Sequence, residues 1–256
     1  MIPQVNNIGI IGLEDSEEKT QEYKDRLNYI IVPSSHNPEY RFVVKAFNGN
    51  SPNLLLATKT RVYPHWNLNQ PEKDEFWNRD MTAGEIGCVI SHLIMWKGFA
   101  NVINNDHKGY TDSIMIFEED FCPAESTIDW SRMNELKNYD WDLLFLGRRL
   151  QKDEVDTEVG LKYFVQPGFS YQAHAYLLSK NGLNKLINYY VPILSKNLIP
   201  TDEFLPATYM NHPREDINRL FPIKRLKALA TREDWFRQTD WEGTGRSRTA
   251  PNEVQL

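Results

Sequence analysis

At 256 residues, with 41% hydrophobic and 12% aromatic side chains, the chain is long enough for one large α/β domain with a packed core. Its 35 acidic residues against 29 Lys and Arg give a net charge of −6, which argues against a nucleic-acid binder, whose surface would show a basic face. No run approaches the ~18 consecutive apolar residues of a membrane span. The opening Met1-Ile2-Pro3-Gln4 lacks the pattern of a signal peptide, so a cytoplasmic location is expected.

In chain order, the apolar run 8–13 predicts a first strand and the acidic stretch 17–27 a helix. Residues 41–47 alternate apolar with polar and predict a second strand, closed by the turn signal Asn48-Gly49-Asn50. Residues 50–80 lack periodicity and predict a loop with short elements. The strongest helix signal follows. Thr82 with Glu85 three residues later forms a capping box, and Ile86, Val89, Ile90, Leu93, Trp96 and Ala100 then recur on one face. Cys88 lies beside that stripe and reads as core; with Cys122 it reads as a reduced thiol.

The four apolar residues 114–117 predict a buried parallel strand that stops abruptly at Glu118, Glu119 and Asp120. Residues 141–146 predict another, ending at Gly147-Arg148-Arg149, and residues 175–178 a short one. A helix is expected over 180–190, and Pro200-Thr201-Asp202-Glu203 opens a further helix. From about 227 to 256 the chain is polar and Gly-containing, which predicts a mobile tail or flap. Strands alternating with helices give an α/β single domain, residues 1–256, around a mostly parallel sheet flanked by helices.

In such sheets ligands bind beyond the carboxyl ends of the strands. Carboxylates at that position can hold a hard divalent cation, Mg²⁺ or Mn²⁺, and through it a diphosphate. Glu118 and Asp120 are spaced to project from one side of the strand tip, with Glu119 between them. No GxGxxG or GxxxxGK[ST] is present, so phosphate charge would be met by the metal or by Arg148, Arg149, Arg246 and Arg248. Neither GxSxG nor HExxH occurs, which leaves serine-hydrolase and zinc-protease readings without support.

These residues carry a resemblance. Gly84-Glu85-Ile86-Gly87-Cys88, then Ser91-His92 and Trp96, resembles the GE[IL]GCxxSHxxxW motif of glycosyltransferase family 25. In the same order follow Phe117-Glu118-Glu119-Asp120, similar to FEDD, and Asp140-Trp141-Asp142-Leu143 with Gly147-Arg148, similar to DWDLxxxGR. Ala175-Tyr176, Ser179 and Gly182 resemble AYxxSxxG. Pro200, Asp202-Glu203-Phe204-Leu205-Pro206 and His212-Pro213 resemble PxDEFLPxxxxxHP of the procollagen galactosyltransferase branch, and Thr239-Asp240-Trp241-Glu242 its SDTE. The family's arginine-rich first strand end is absent here.

The resemblance implies a GT-A fold, a UDP-sugar donor (galactose or glucose), a divalent metal, Mn²⁺ first, and inversion at the anomeric carbon. The implied acceptor is hydroxylysine of a collagen-like protein, with a glycan or lipopolysaccharide core as alternative. A catalytically weak nucleotide-sugar-binding domain is the rival reading. The relatives in animals lie in the endoplasmic reticulum lumen. Inverting transfer needs one carboxylate to take the hydroxyl proton; Asp202 is the candidate, with Glu203 second. Glu118, Asp120 and Asp240 are the candidate metal ligands. Glu85, Ser91, His92, Glu119, Arg148 and Arg246 are the candidate donor contacts, and Tyr171 and His174 the acceptor contacts. Glu85 is equally explained by its cap, and His92 by a satisfied place in the core.

Overall fold

The apolar runs become strands buried on both faces. In the computed structural model, which describes residues 5–12, 18, 21–23, 25, 40–46, 60–70, 75–105, 113–125 and 128–239, one sheet holds seven strands. These are β1 (Val5–Gly12), β2 (Tyr40–Lys45), β3 (Ser113–Glu118), β5 (Leu143–Leu150), β6 (Phe164–Val165), β7 (Ser170–Ser179) and β8 (Ala228–Thr231), in the order β2-β1-β3-β7-β5-β8-β6. Strands β2, β1, β3, β5 and β8 share one direction; β7 runs against β3 and β5, and β6 against β8. The sheet is therefore mixed but mostly parallel, as the α/β reading expects. A separate ribbon pairs β4 (Phe121–Pro123) antiparallel with β9 (Phe236–Gln238).

Period-two alternation divides the core. Ile114, Ile116, Leu143, Phe145, Tyr176 and Leu178 face the long helix α1 (Ala83–Asn105), whose Ile86, Val89, Leu93 and Trp96 bury against them. Met115, Phe117, Leu144, Leu146, Ala175 and Leu177 pack on the opposite side with Trp130, Met133 and Leu136. By length and composition α1 is long and apolar enough to cross a membrane, although no uninterrupted apolar run announces it. Its Ser91, His92 and Lys97 break the run without undoing the average, and 67% of the apolar window is buried within the protein.

Three boundaries differ from expectation. Strand β7 starts at Ser170, five residues before its apolar half, and Gln172 takes a left-handed φ of 73° where the β5–β7 register shifts. The expected helix over 180–190 divides into α2 (Lys180–Lys185), a π-turn (Leu186–Tyr190) and α3 (Val191–Leu194). Pro192 has no amide to give the preceding turn, and the wider turn accommodates it. The chain past 227 does not begin a mobile tail: β8 and β9 place Ala230 and Phe236 fully in the core. Residues 240–256, including Asp240, Arg246 and Arg248, lie outside the described residues.

Candidate active site

Strand β3 ends at Glu118, between the N-terminal turns of α1 and of α4 (Thr201–Ala207). The cap of α1 forms as its sequence dictates. Thr82 N donates to Glu85 Oε2 at 2.8 Å, Glu85 N donates to Thr82 Oγ1 at 3.2 Å, and Arg79 clasps the same carboxylate with contacts of 2.7 and 2.8 Å. Glu85 is therefore committed to the helix end and to Arg79 rather than to a donor. Ser91 is fully buried and donates its hydroxyl to the Gly87 carbonyl at 2.7 Å, so it does not face a donor either.

Cys88 and His92, one helical turn apart, reach the tip of β3. His92 is fully buried; its Nε2 lies 2.9 Å from Glu118 Oε1 and its Nδ1 2.8 Å from the Tyr176 hydroxyl, which also accepts from Trp96 Nε1 at 2.8 Å. The Cys88 thiol donates to Glu118 Oε1 at 3.4 Å and lies 3.6 Å from Thr201 Oγ1. Burial works to raise the Glu118 carboxyl, but the hydrogen bond and charge of His92 outweigh it and hold it below its ordinary value. Burial and the Glu118 charge push the Cys88 thiol well up.

Asp202, in the first turn of α4, faces this same group. Its Oδ1 accepts from Ala173 N at 3.1 Å, at the bend of β7 made by the left-handed Gln172. Burial, followed by the charge of Glu118, pushes its carboxyl up to about 7. Its neighbour Glu203 has a different role. Glu203 is buried and accepts from Trp77 Nε1 at 3.0 Å, Tyr171 hydroxyl at 2.8 Å and His212 Nε2 at 2.6 Å. Those contacts tie α4 to three other segments, so neither Glu203 as base nor Tyr171 as acceptor contact is favoured by the geometry.

His174 is buried under β9. Its Nε2 donates to the Phe236 carbonyl at 3.2 Å, burial lowers its basicity, and its buried Nδ1 has no hydrogen-bond partner. The close approach needs Gly147: a Cβ there would lie 2.1 Å from Phe236 O and 2.5 Å from His174 Nε2. Arg148 is enclosed by its partners, with Nη2 2.5 Å from Asp156 and Nη1 2.8 Å from Ser170 Oγ, and its side chain is 7% exposed. It is a buried cation paired within the protein, so the geometry does not favour it as a phosphate contact.

Past Glu118 the chain leaves the strand, so strand alternation does not carry Asp120 to the side where Glu118 lies. Glu119 accepts from the Tyr23 hydroxyl at 2.7 Å. Asp120 accepts from the Gln238 side chain at 3.1 Å, and its carbonyl accepts from Thr239 N at 2.8 Å. The residue before Asp240 is thus bonded to the acidic turn. These are carboxylate oxygens, the donor type suited to Mn²⁺ or Mg²⁺, and the residues present fit such a cation.

The structure brings together Glu118, Asp202, Cys88, His92 and Thr201, with the turn 119–120 following directly on Glu118. Sequence reasoning assigned Cys88 to the core and gave no place to Thr201. The spacing of Cys88 and His92 by four residues was the signal for the first.

Residues 6–205 match the model of glycosyltransferase family 25 (LPS biosynthesis protein). Procollagen galactosyltransferase 1-B of Xenopus laevis is 35% identical over 160 residues, covering 62% of this chain and 25% of that protein. A glycosyltransferase 25 family member of Drosophila melanogaster is 28% identical over 232 residues, 88% of this chain and 34% of that one. Probable inactive glycosyltransferase 25 family member 3 of Bos taurus is 32% identical over 172 residues, 62% of this chain and 26% of its own. The chain thus spans about a quarter to a third of the length of these relatives. With the family model matched from the first strand into α4, across the strand tip and the helix cap that frame the cleft, the chain belongs to glycosyltransferase family 25.

Proposed function

We propose that the chain is a metal-dependent, inverting hexosyltransferase of GT-A type that moves galactose or glucose from a UDP-sugar to a hydroxyl. The observation that carries this reading is Asp202. A carboxyl that titrates near 7 and is held by backbone amides is suited to take a proton from an attacking hydroxyl at neutral pH. It stands at the carboxyl end of β3, where an open α/β sheet presents its ligand. Of the three acids expected to hold the cation, Glu118 is engaged by His92 and Cys88, which leaves Asp120, with Asp240, as the pair that would hold it. Bound there, the cation would neutralise the departing diphosphate. The cap of α1 and the Glu203 clasp keep the two helix ends that flank Asp202 fixed.

The acceptor proposed is hydroxylysine in a collagen-like protein. The segment from Pro200 to Pro213 and the likeness to Procollagen galactosyltransferase 1-B support it. A binding domain without turnover is the second reading, and the name of the Bos taurus relative gives it substance.

The deciding experiment measures UDP release from a panel of UDP-sugars, with Mn²⁺ or a chelator, with and without a hydroxylysine peptide, for wild type, Asp202→Asn and Asp120→Ala. Metal-dependent release from one sugar, raised by the peptide and lost in both variants, is the expected result. UDP binding with no release from any sugar would favour the binding domain. Absence of UDP binding would end the nucleotide-sugar reading.

A further inference from the structure

We propose that Cys88, His92 and Glu118 form a binding site for one divalent transition-metal ion of the zinc type, distinct from the hard cation assigned to the donor. Among the described residues, these three place a thiol sulfur, an imidazole nitrogen and a carboxylate oxygen within 4.8 Å of one another. Two ligands come from one face of α1, a turn apart, and the third from the end of β3. Both elements are packed into the core, so the three donors are held before any ion arrives.

The donor types decide the class of ion. A mixed sulfur, nitrogen and oxygen set suits Zn²⁺ or Co²⁺, whereas Mg²⁺ and Mn²⁺ prefer oxygen alone. His92 is also supported as metal-binding histidines are. Its second nitrogen is 2.8 Å from the Tyr176 hydroxyl, which Trp96 fixes from behind. Without an ion Nε2–H donates to Glu118; with an ion bound, the imidazole proton would sit on Nδ1, donated to the Tyr176 hydroxyl, and the Nε2 lone pair would face the ion. Binding would replace the Cys88–Glu118 and His92–Glu118 hydrogen bonds by three bonds to one cation, with the thiol proton, and the second imidazole proton where His92 is charged, passing to solvent. Cys88 and Glu118 are half-buried, and Thr201 Oγ1 lies 3.6 Å from the thiol. Three protein ligands are one fewer than a closed structural zinc site uses.

The site does not depend on the donor reading and is tested without any sugar nucleotide. The full chain, stripped with a chelator, is titrated with Co²⁺ and followed by absorption. One equivalent should produce a thiolate-to-cobalt charge-transfer band, which Zn²⁺ bleaches and equal Mn²⁺ does not. The chain has two cysteines, so the assignment is direct: Cys88→Ser should lose the band and Cys122→Ser should keep it. Asp120→Ala should keep it too, although that variant loses the cation assigned to the donor. Tyr176→Phe should weaken Co²⁺ binding by about 10- to 100-fold, the usual cost of removing a partner behind a ligating histidine. No band in the wild type, or a band that follows Cys122 instead, would overturn the proposal and show that the three side chains bond only to one another.

Discussion

Asp202 and Glu203 are neighbours in the first turn of α4, yet their carboxylates are held by different kinds of partner. Asp202 accepts from the backbone of β7, while Glu203 accepts from three side chains, those of Trp77, Tyr171 and His212. Two adjacent acids therefore divide into a group poised for proton transfer and a group that fastens the helix.

The division predicts opposite mutant behaviour. Asp202→Asn should reduce turnover by about 10²- to 10⁴-fold, the usual share of a general base. Glu203→Ala strands three donors, the buried His212 and the half-buried Trp77 and Tyr171, and should cost about 3 kcal/mol of stability. Steady-state kinetics paired with urea unfolding separates the two. Comparable stability losses in both variants would refute the assignment.

In the chain stripped of metal, where Glu118 keeps its charge, the raised carboxyl of Asp202 also sets a pH dependence. Its folded value, about 7, lies above the 3.8 of an ordinary aspartate, so between those limits the folded chain binds more protons than the unfolded one. Stability should accordingly be fullest below about pH 4 for this group and fall as pH rises toward 7, by a total on the order of 4 kcal/mol. Asp202→Asn removes this slope. The gap between the urea midpoints of variant and wild type should widen in the variant's favour from pH 5 to pH 8; parallel midpoints would count against it. Turnover, which needs the ionised form, should rise through the same range.

Gly147→Ala tests the fit of β9 over His174. The new methyl would meet backbone at 2.1 Å, which side-chain movement cannot relieve. A loss of about 1–3 kcal/mol is expected, with hydrogen exchange quickening in residues 236–238 before the rest of the sheet. Unchanged exchange there would mean that the strand gives way without cost.

Glu85→Ala should lower stability by about 1–2 kcal/mol through the lost cap and Arg79 contact, and leave donor affinity unchanged. A donor KM raised tenfold at unaltered stability would restore Glu85 to the donor site.

Much of this architecture was legible because it is local. Apolar runs gave β3 and β5, and Thr82 with Glu85 marked the start of α1. The ordered motifs marked Glu118 and Asp202 as belonging to one site. What was not legible depends on partners distant in the chain. Nothing near Arg148 reveals that Asp156 and Ser170 will enclose it, and a polar stretch such as 170–172 gives no period-two signal once Gln172 bends it. Nor does the first turn of a helix tell which of two acids will meet side chains and which will meet backbone.

The ribbon of β4 and β9 adds a mechanical consequence. Its two strands are three residues each, and it is stitched to the main sheet by Phe117, which stacks on Phe121 at 4.3 Å between centroids and meets Phe236 edge-on at 4.9 Å. Asp120 sits in the short link between β3 and that ribbon, and its backbone is bonded to Thr239. Displacing the acidic turn therefore means displacing the strand that leads into the last seventeen residues, so strain applied at either end is delivered to the other.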